Sequence, residues 1–181
     1  RQGDFALLKQ TGVKYGFDVA SLTTVATAGI RISSTRIRAA LAAGDMATAM
    51  RCLGRQYALR GRVCQGAQLG RTWGFPTLNL RLTERNCPLR GVFLVRVTGP
   101  EGVCWDGVAN VGRRPTIGAD TELLLEVHLL DVTTDLYGAR VQVQFRQHLR
   151  AEQHFASFEA LKTQIASDVR QARLWLATDV H

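Results

Sequence analysis

Two stretches of this chain carry side chains whose types and spacing suit phosphoryl chemistry. The first is Gly66-Ala67-Gln68-Leu69-Gly70-Arg71-Thr72-Trp73-Gly74-Phe75-Pro76-Thr77-Leu78-Asn79-Leu80. Three glycines, with Arg71 beside the second, let backbone N–H groups come close to an anion. It is not a Walker loop: three residues separate Gly66 from Gly70, Arg stands where Lys is required, and a strand follows rather than a helix. A glycine-rich hairpin explains the glycines equally well. Thr77 and Asn79, two apart on a strand, project a hydroxyl and an amide oxygen from one face while Leu78 points inward. Such neutral hard oxygens suit Mg²⁺ carrying a nucleotide's phosphates, although Thr and Asn are also ordinary hairpin residues.

The second stretch is Leu123-Leu124-Leu125-Glu126-Val127-His128-Leu129-Leu130. Glu126 is a carboxylate inside an apolar run, where a charge is costly unless it has a partner or a task. In a cleft it is a candidate general base for a substrate hydroxyl. An ion pair with one of the arginines is the competing explanation. His128 shares its face and reads as a packed, hydrogen-bonded histidine.

Periodicity says what must hold these groups. Residues 34–54 read as two short helices, the first capped by Ser34 or Thr35 and ended by Gly44, the second capped by Asp45 and ended by Gly54. From Gln56 the apolar period changes from 3.6 to 2, with candidate strands at 56–64, 75–81, 91–98, 103–111, 122–131 and 140–146. Six short strands without intervening helices predict a mainly β protein, an antiparallel sheet closed into a barrel. A last helix is predicted over Ser157–Leu176, packed on the barrel or plugging it, with Phe158, Leu161, Ile165 and Val169 on its apolar face.

Composition narrows the function classes. The 181 residues are 46% hydrophobic and 21% charged, which excludes disorder and collagen-like repeats. No apolar run reaches the roughly 20 residues of a membrane span. The four cysteines lie at least ten residues apart, so neither a zinc knuckle nor a dense disulfide framework is indicated, and the expectation is a cytoplasmic protein with reduced thiols. The chain starts at Arg1 without an initiating Met, which reads as a piece of something longer. Net charge is +8, and twenty of the 23 basic residues are Arg. Because that charge is spread along the chain, anionic small molecules are favoured as partners over nucleic acid or a membrane. The alternative is a basic nucleic-acid-binding barrel whose helix–Gly–helix at 34–54, bearing Arg36 and Arg38, acts as a helix-turn-helix.

At this level of detail the sequence resembles a known family. Gly66 to Leu80 resembles the Gly-rich loop and P-T-x-N signature of riboflavin kinases, and Glu126 followed by Asp135-Leu136-Tyr137-Gly138 resembles their catalytic strand and the loop after it. Asn110-Val111-Gly112-Arg113-Arg114-Pro115-Thr116 and Leu149-Arg150 leading to Phe155 are further similarities. Upstream, Ile32-Ser33-Ser34-Thr35-Arg36-Ile37-Arg38 is similar to a motif near the end of a nucleotidyltransferase domain. In this order the two resemble the bacterial bifunctional riboflavin kinase/FAD synthetases. The resemblance implies a riboflavin kinase domain at 55–177 and the tail of an FMN adenylyltransferase domain at 1–54. It implies transfer of the ATP γ-phosphoryl to riboflavin, giving FMN and ADP. Gly66, Gly70 and Arg71 would lie over the phosphates, Thr77 and Asn79 would hold Mg²⁺–ATP, and Glu126 would take the hydroxyl proton. Tyr137 would sit near the nucleotide, and Arg150 and Phe155 near the flavin. Formation of FAD would belong to the longer parent and be absent from this piece.

Overall fold

The computed structural model describes residues 4–21, 23–27, 29–66, 74–82, 87–115, 121–132 and 134–178. They form two compact units, residues 1–32 and 33–181.

The first unit holds helix α1 (Phe5–Tyr15) and a two-residue hairpin of β1 (Ala26–Thr27) and β2 (Ile30–Arg31). Asp4 caps α1, its side chain accepting from Leu7 N at 2.8 Å, and Gly16 closes it in the left-handed conformation. No helix is predicted here from the periodicity, because Gly12 interrupts it. The cap residues at either end were the available signal.

The second unit starts with α2 (Ser34–Ala42) and α3 (Met46–Leu53). The cap of α2 is Ser33, one residue ahead of the expected Ser34 or Thr35; its hydroxyl accepts from Arg36 N at 3.2 Å. Asp45 caps α3 as expected, accepting from Thr48 N at 2.9 Å. The apolar faces of both helices, Ala40, Leu41, Met46 and Ala49, are buried in the same core as the strands. Both helices are thereby part of the barrel's own unit, and the nucleic-acid reading gains no support from them.

Six strands follow: β3 (Ala58–Arg62), β4 (Leu78–Leu82), β5 (Gly91–Thr98), β6 (Cys104–Pro115), β7 (Thr121–Leu129) and β8 (Arg140–Arg150). All pairings are antiparallel, in the order β3-β8-β5-β6-β7-β4. Alternate residues such as Phe93, Val95, Leu125, Val127 and Phe145 fill the interior. The barrel is nearly closed rather than closed. Among the described residues its edge strands β3 and β4 meet through one bridge, Cys64 with Asn79, where Cys64 N donates to Asn79 O at 2.8 Å.

Strands β6 and β8 outrun their predicted ends at 111 and 146, because pairing with β7 and β5 carries them past the point where apolar alternation stops. Helix α4 (Phe158–Thr178) packs on the outside, Ala172 and Val169 lying against Val92, Leu94, Val108 and Leu130. That dry patch covers part of the outer face. The polar groups of interest occupy the neighbouring part.

Candidate active site

Strand β7 alternates Leu123, Leu125, Val127 and Leu129 into the core, which turns Glu126 and His128 outward. On one side Glu126 stands directly opposite Asn79 of β4, and on the other opposite Asn110 of β6. Directly opposed residues share a face, with Cα atoms about 4.5–5.5 Å apart. The row continues: Asn110 is opposite Val92 of β5, and Val92 is opposite Arg150 of β8. One cross-strand line therefore joins Asn79, Glu126, Asn110 and Arg150, residues drawn from four strands and 71 positions of sequence apart at the extremes.

At one end of the line Asn79 is 4% exposed. Its Nδ2 donates to Thr77 O at 3.2 Å, while its Oδ1 is buried without a hydrogen-bond partner among the described residues. Gly66 lies directly over it: a Cβ at Gly66 would come within 2.5–2.7 Å of Asn79 Nδ2, Cγ and Oδ1. An orphaned amide oxygen costs about 1–3 kcal/mol. A hard cation is the natural group to satisfy it, so the donor set of Asn79 Oδ1 and the Thr77 hydroxyl fits Mg²⁺.

Thr77 and Asn79 open into a cleft of about 320 Å³ whose opposite wall is Thr134, Asp135 and Tyr137. The 134–139 segment is held by one internal bond and two to the end of β3 and the residue after it. Tyr137 N donates to Asp135 Oδ1 at 3.0 Å, Gly138 N to Val63 O at 2.9 Å, and Arg62 Nη1 to Gly138 O at 2.6 Å. Leu136 is buried in the core, leaving Tyr137 47% exposed at the mouth. His128 serves the other wall, its Nδ1 donating to Pro76 O at 3.0 Å and its ring set edge-on to Phe75, as a packed histidine should.

At the far end, Arg150 forms a fork with Asp168 of α4: Nε reaches Oδ1 at 2.9 Å and Nη2 reaches Oδ2 at 2.8 Å. Asp168 is 2% exposed and also accepts from Gln164 Nε2 at 2.8 Å, while Arg150 Nη1 donates to Ala151 O. The guanidinium lies 5.7 Å from the Phe155 ring centre. Arg150 is thus fixed by a buried pair, and it fixes Phe155 in turn. Asp168 and Asn110 are functional candidates that reasoning on residue types did not single out. Asn110 and Asp168 both lie in stretches similar to riboflavin kinases, Asp168 in the closing helix with Gln164-Ile165, but the pairing of Asp168 with Arg150 exists only once α4 is docked.

The structure therefore gathers Gly66, Thr77, Asn79, Glu126 and Tyr137 around one cleft and its adjoining row, and sets Arg150 and Phe155 at the row's other end. Gly70 and Arg71 lie outside the described residues. Among the described residues no group of three or more His, Cys, Asp or Glu side chains is arranged to hold a metal, and Cys52, Cys64, Cys87 and Cys104 are free thiols.

Cleft and polar row together put the candidate small-molecule site on the outer face of a nearly closed antiparallel barrel. The model of the riboflavin kinase family (Flavokinase) matches residues 53–176. The chain belongs to the riboflavin kinase family. It is 50% identical over all of its 181 residues to a bifunctional riboflavin kinase/FMN adenylyltransferase of Pseudomonas fluorescens, covering 58% of that protein. The chain thus spans little more than half the length of the curated relatives it matches. Among solved structures, riboflavin kinase from Trypanosoma brucei aligns with 69% of the chain and 83% of its own length, at 28% identity and a TM-score of 0.50. A structure described as a macrolide-efflux protein from Streptococcus pneumoniae aligns with 95% of the chain and 55% of its own length, at 32% identity and a TM-score of 0.75. No helix among the described residues is long and apolar enough to cross a membrane.

Proposed function

We propose that this chain transfers the γ-phosphoryl group of ATP to the terminal ribityl hydroxyl of riboflavin, yielding FMN and ADP. The observation that carries the reading is the pairing of Glu126 with Asn79, whose buried Oδ1 has no hydrogen-bond partner among the described residues. A base for the attacking hydroxyl and a ligand for the phosphate-bound cation are thereby neighbours on adjacent strands. Phosphoryl transfer needs little from the protein beyond that positioning and charge neutralisation.

In this reading Thr77 and Asn79 would hold Mg²⁺, which neutralises phosphate charge when bound. Gly66 covers the phosphates, and Tyr137 packs near the nucleotide at the cleft mouth. Glu126 accepts the proton as the hydroxyl oxygen forms its bond to phosphorus and the bond to the ADP oxygen breaks. Arg150 and Phe155 receive the flavin, Phe155 offering its ring and Arg150 acting as the positioning residue that steadies it. We further assign residues 55–177 to the kinase domain and 1–54 to the tail of an FMN adenylyltransferase domain, with FAD formation belonging to the longer protein. Partners are riboflavin, FMN, ATP and ADP, without nucleic acid or membrane, and dependence on ATP argues for a cytoplasmic location.

The test is to incubate the chain with riboflavin, ATP and Mg²⁺ and resolve the flavins. FMN is the expected product. Glu126→Gln keeps the shape but removes the base, and should lower kcat about 10²–10⁴-fold. Phosphorylation by that variant at the parent rate would refute the assignment.

A further inference from the structure

We propose that Asn110 and Glu152 form a polyol-reading pair that binds the secondary hydroxyls of the flavin's side chain and so makes that chain, not only the ring and the terminal hydroxyl, a determinant of substrate choice. The inference rests on the kinase reading above and adds a specificity site to it.

Three observations carry it. First, Asn110 stands next to Glu126 on the line that ends at Arg150. Val92, the next residue on that line, is buried beneath α4, so Asn110 is the last polar side chain of the line on the Glu126 side that stays outside the dry patch.

Second, the segment leaving β8 brings a carboxylate to the same place. A Cβ at Gly112 would collide with the Glu152 carboxylate and come to 3.3 Å from Asn110 Nδ2. Gly112 is two residues along β6 from Asn110, so the two share the outer face. The missing side chain at Gly112 is what lets Glu152 lie down beside Asn110.

Third, neither group is occupied. Among the described residues, Asn110 and Glu152 make no hydrogen bond or ion pair through their side chains. This sets them apart from the neighbouring Arg150, Asp168 and Gln164, which satisfy one another. A carboxamide that both donates and accepts, beside a carboxylate that accepts, complements consecutive hydroxyls, each of which also does both. A bare anion would suit the amide and be repelled by Glu152. A polyhydric chain suits both.

The test uses two substrates, riboflavin and an isoalloxazine bearing a 5-hydroxypentyl chain, which keeps the ring and the terminal hydroxyl but lacks the secondary ones. Asn110→Ala and Glu152→Gln should each raise the KM for riboflavin about three- to tenfold, the worth of one neutral hydrogen bond or slightly more. The KM for ATP and the KM for the hydroxypentyl flavin should stay unchanged. Weakening of both flavins alike, or an unaltered riboflavin KM, would overturn the proposal. Flavin binding followed by fluorescence quenching without ATP gives the same comparison independently of turnover. Should the parent chain phosphorylate neither flavin, the kinase reading falls, and the quenching titration still decides whether Asn110 and Glu152 recognise the polyol. Glu152 is exposed, so its variant keeps the measurement possible even if Asn110→Ala folds poorly.

Discussion

Replacing Gly66 with Ala separates the roles of fold and site more cleanly than any removal of a catalytic group. The added Cβ would sit 2.5 Å from Asn79 Nδ2, 2.6 Å from Cγ and 2.7 Å from Oδ1, all closer than real Cβ contacts allow. Asn79 is buried at 4% exposure and has little freedom to retreat. Overpacking of this kind costs about 1–3 kcal/mol. Taking about 2 kcal/mol, the melting temperature should fall by roughly 4–8 °C for a domain of this size. If the strain is relieved by swinging the amide away, affinity for Mg²⁺–ATP should fall about 30-fold, since 1.4 kcal/mol is a factor of ten. Asn79→Ala behaves differently. It gives up the bond to Thr77 O, worth about 0.5–1.5 kcal/mol, but also removes an unsatisfied buried oxygen costing about 1–3 kcal/mol, so the ligand-free protein should melt within a few degrees of the parent. In the double variant the space vacated by Asn79 accepts the new methyl, and the stability lost through Gly66→Ala should return while Mg²⁺–ATP binding stays poor. Calorimetry and nucleotide titration on the four proteins complete the cycle. Strictly additive melting shifts would refute the reasoning, because they would mean that Gly66 and Asn79 do not touch.

Tyr57 supplies a pH prediction. Burial pushes its phenol up to about 12, with the Cys87 thiol adding to the effect. A folded-state value above the ordinary 10.0 means stability is whole below pH 10 and is lost as pH rises toward 12, because only the unfolded chain ionises readily. Melting temperatures measured across that interval should fall less steeply for Tyr57→Phe; identical slopes would contradict it. Lastly, the 181-residue chain given FMN, ATP and Mg²⁺ should form no FAD. Its four histidines, His128, His148, His154 and His181, include no H-x-G-H pair to contact nucleotide phosphates. Release of pyrophosphate at a rate near that of FMN formation would count against this.

The sequence by itself determined the parts whose physics is local. Alternation with period 2 marks the strands because successive side chains must face opposite ways, and it turns Glu126 outward while Leu125 and Val127 point in. Caps act within one turn, so Asp45 and Gly54 announce the ends of α3 without reference to anything distant. The Thr77/Asn79 spacing likewise puts both side chains at one cleft through adjacent backbone alone. What only the tertiary structure decided depends on which strands pair and in what register. Asn79, Glu126, Asn110 and Arg150 are separated by tens of residues, and a one-residue slip in any ladder would send its members to the opposite face. The same holds for Gly66 covering Asn79, for Arg150 engaged by Asp168 of a helix docked from outside, and for Glu152 lying over Gly112. Even closure of the barrel belongs here. Periodicity counts six strands, but whether the last edges join is decided by tertiary pairing, and among the described residues β3 and β4 are linked by the bridge of Cys64 with Asn79. Local preferences act over a few residues of backbone, whereas a site assembled from four strands exists only once burial of the core has chosen one register among several.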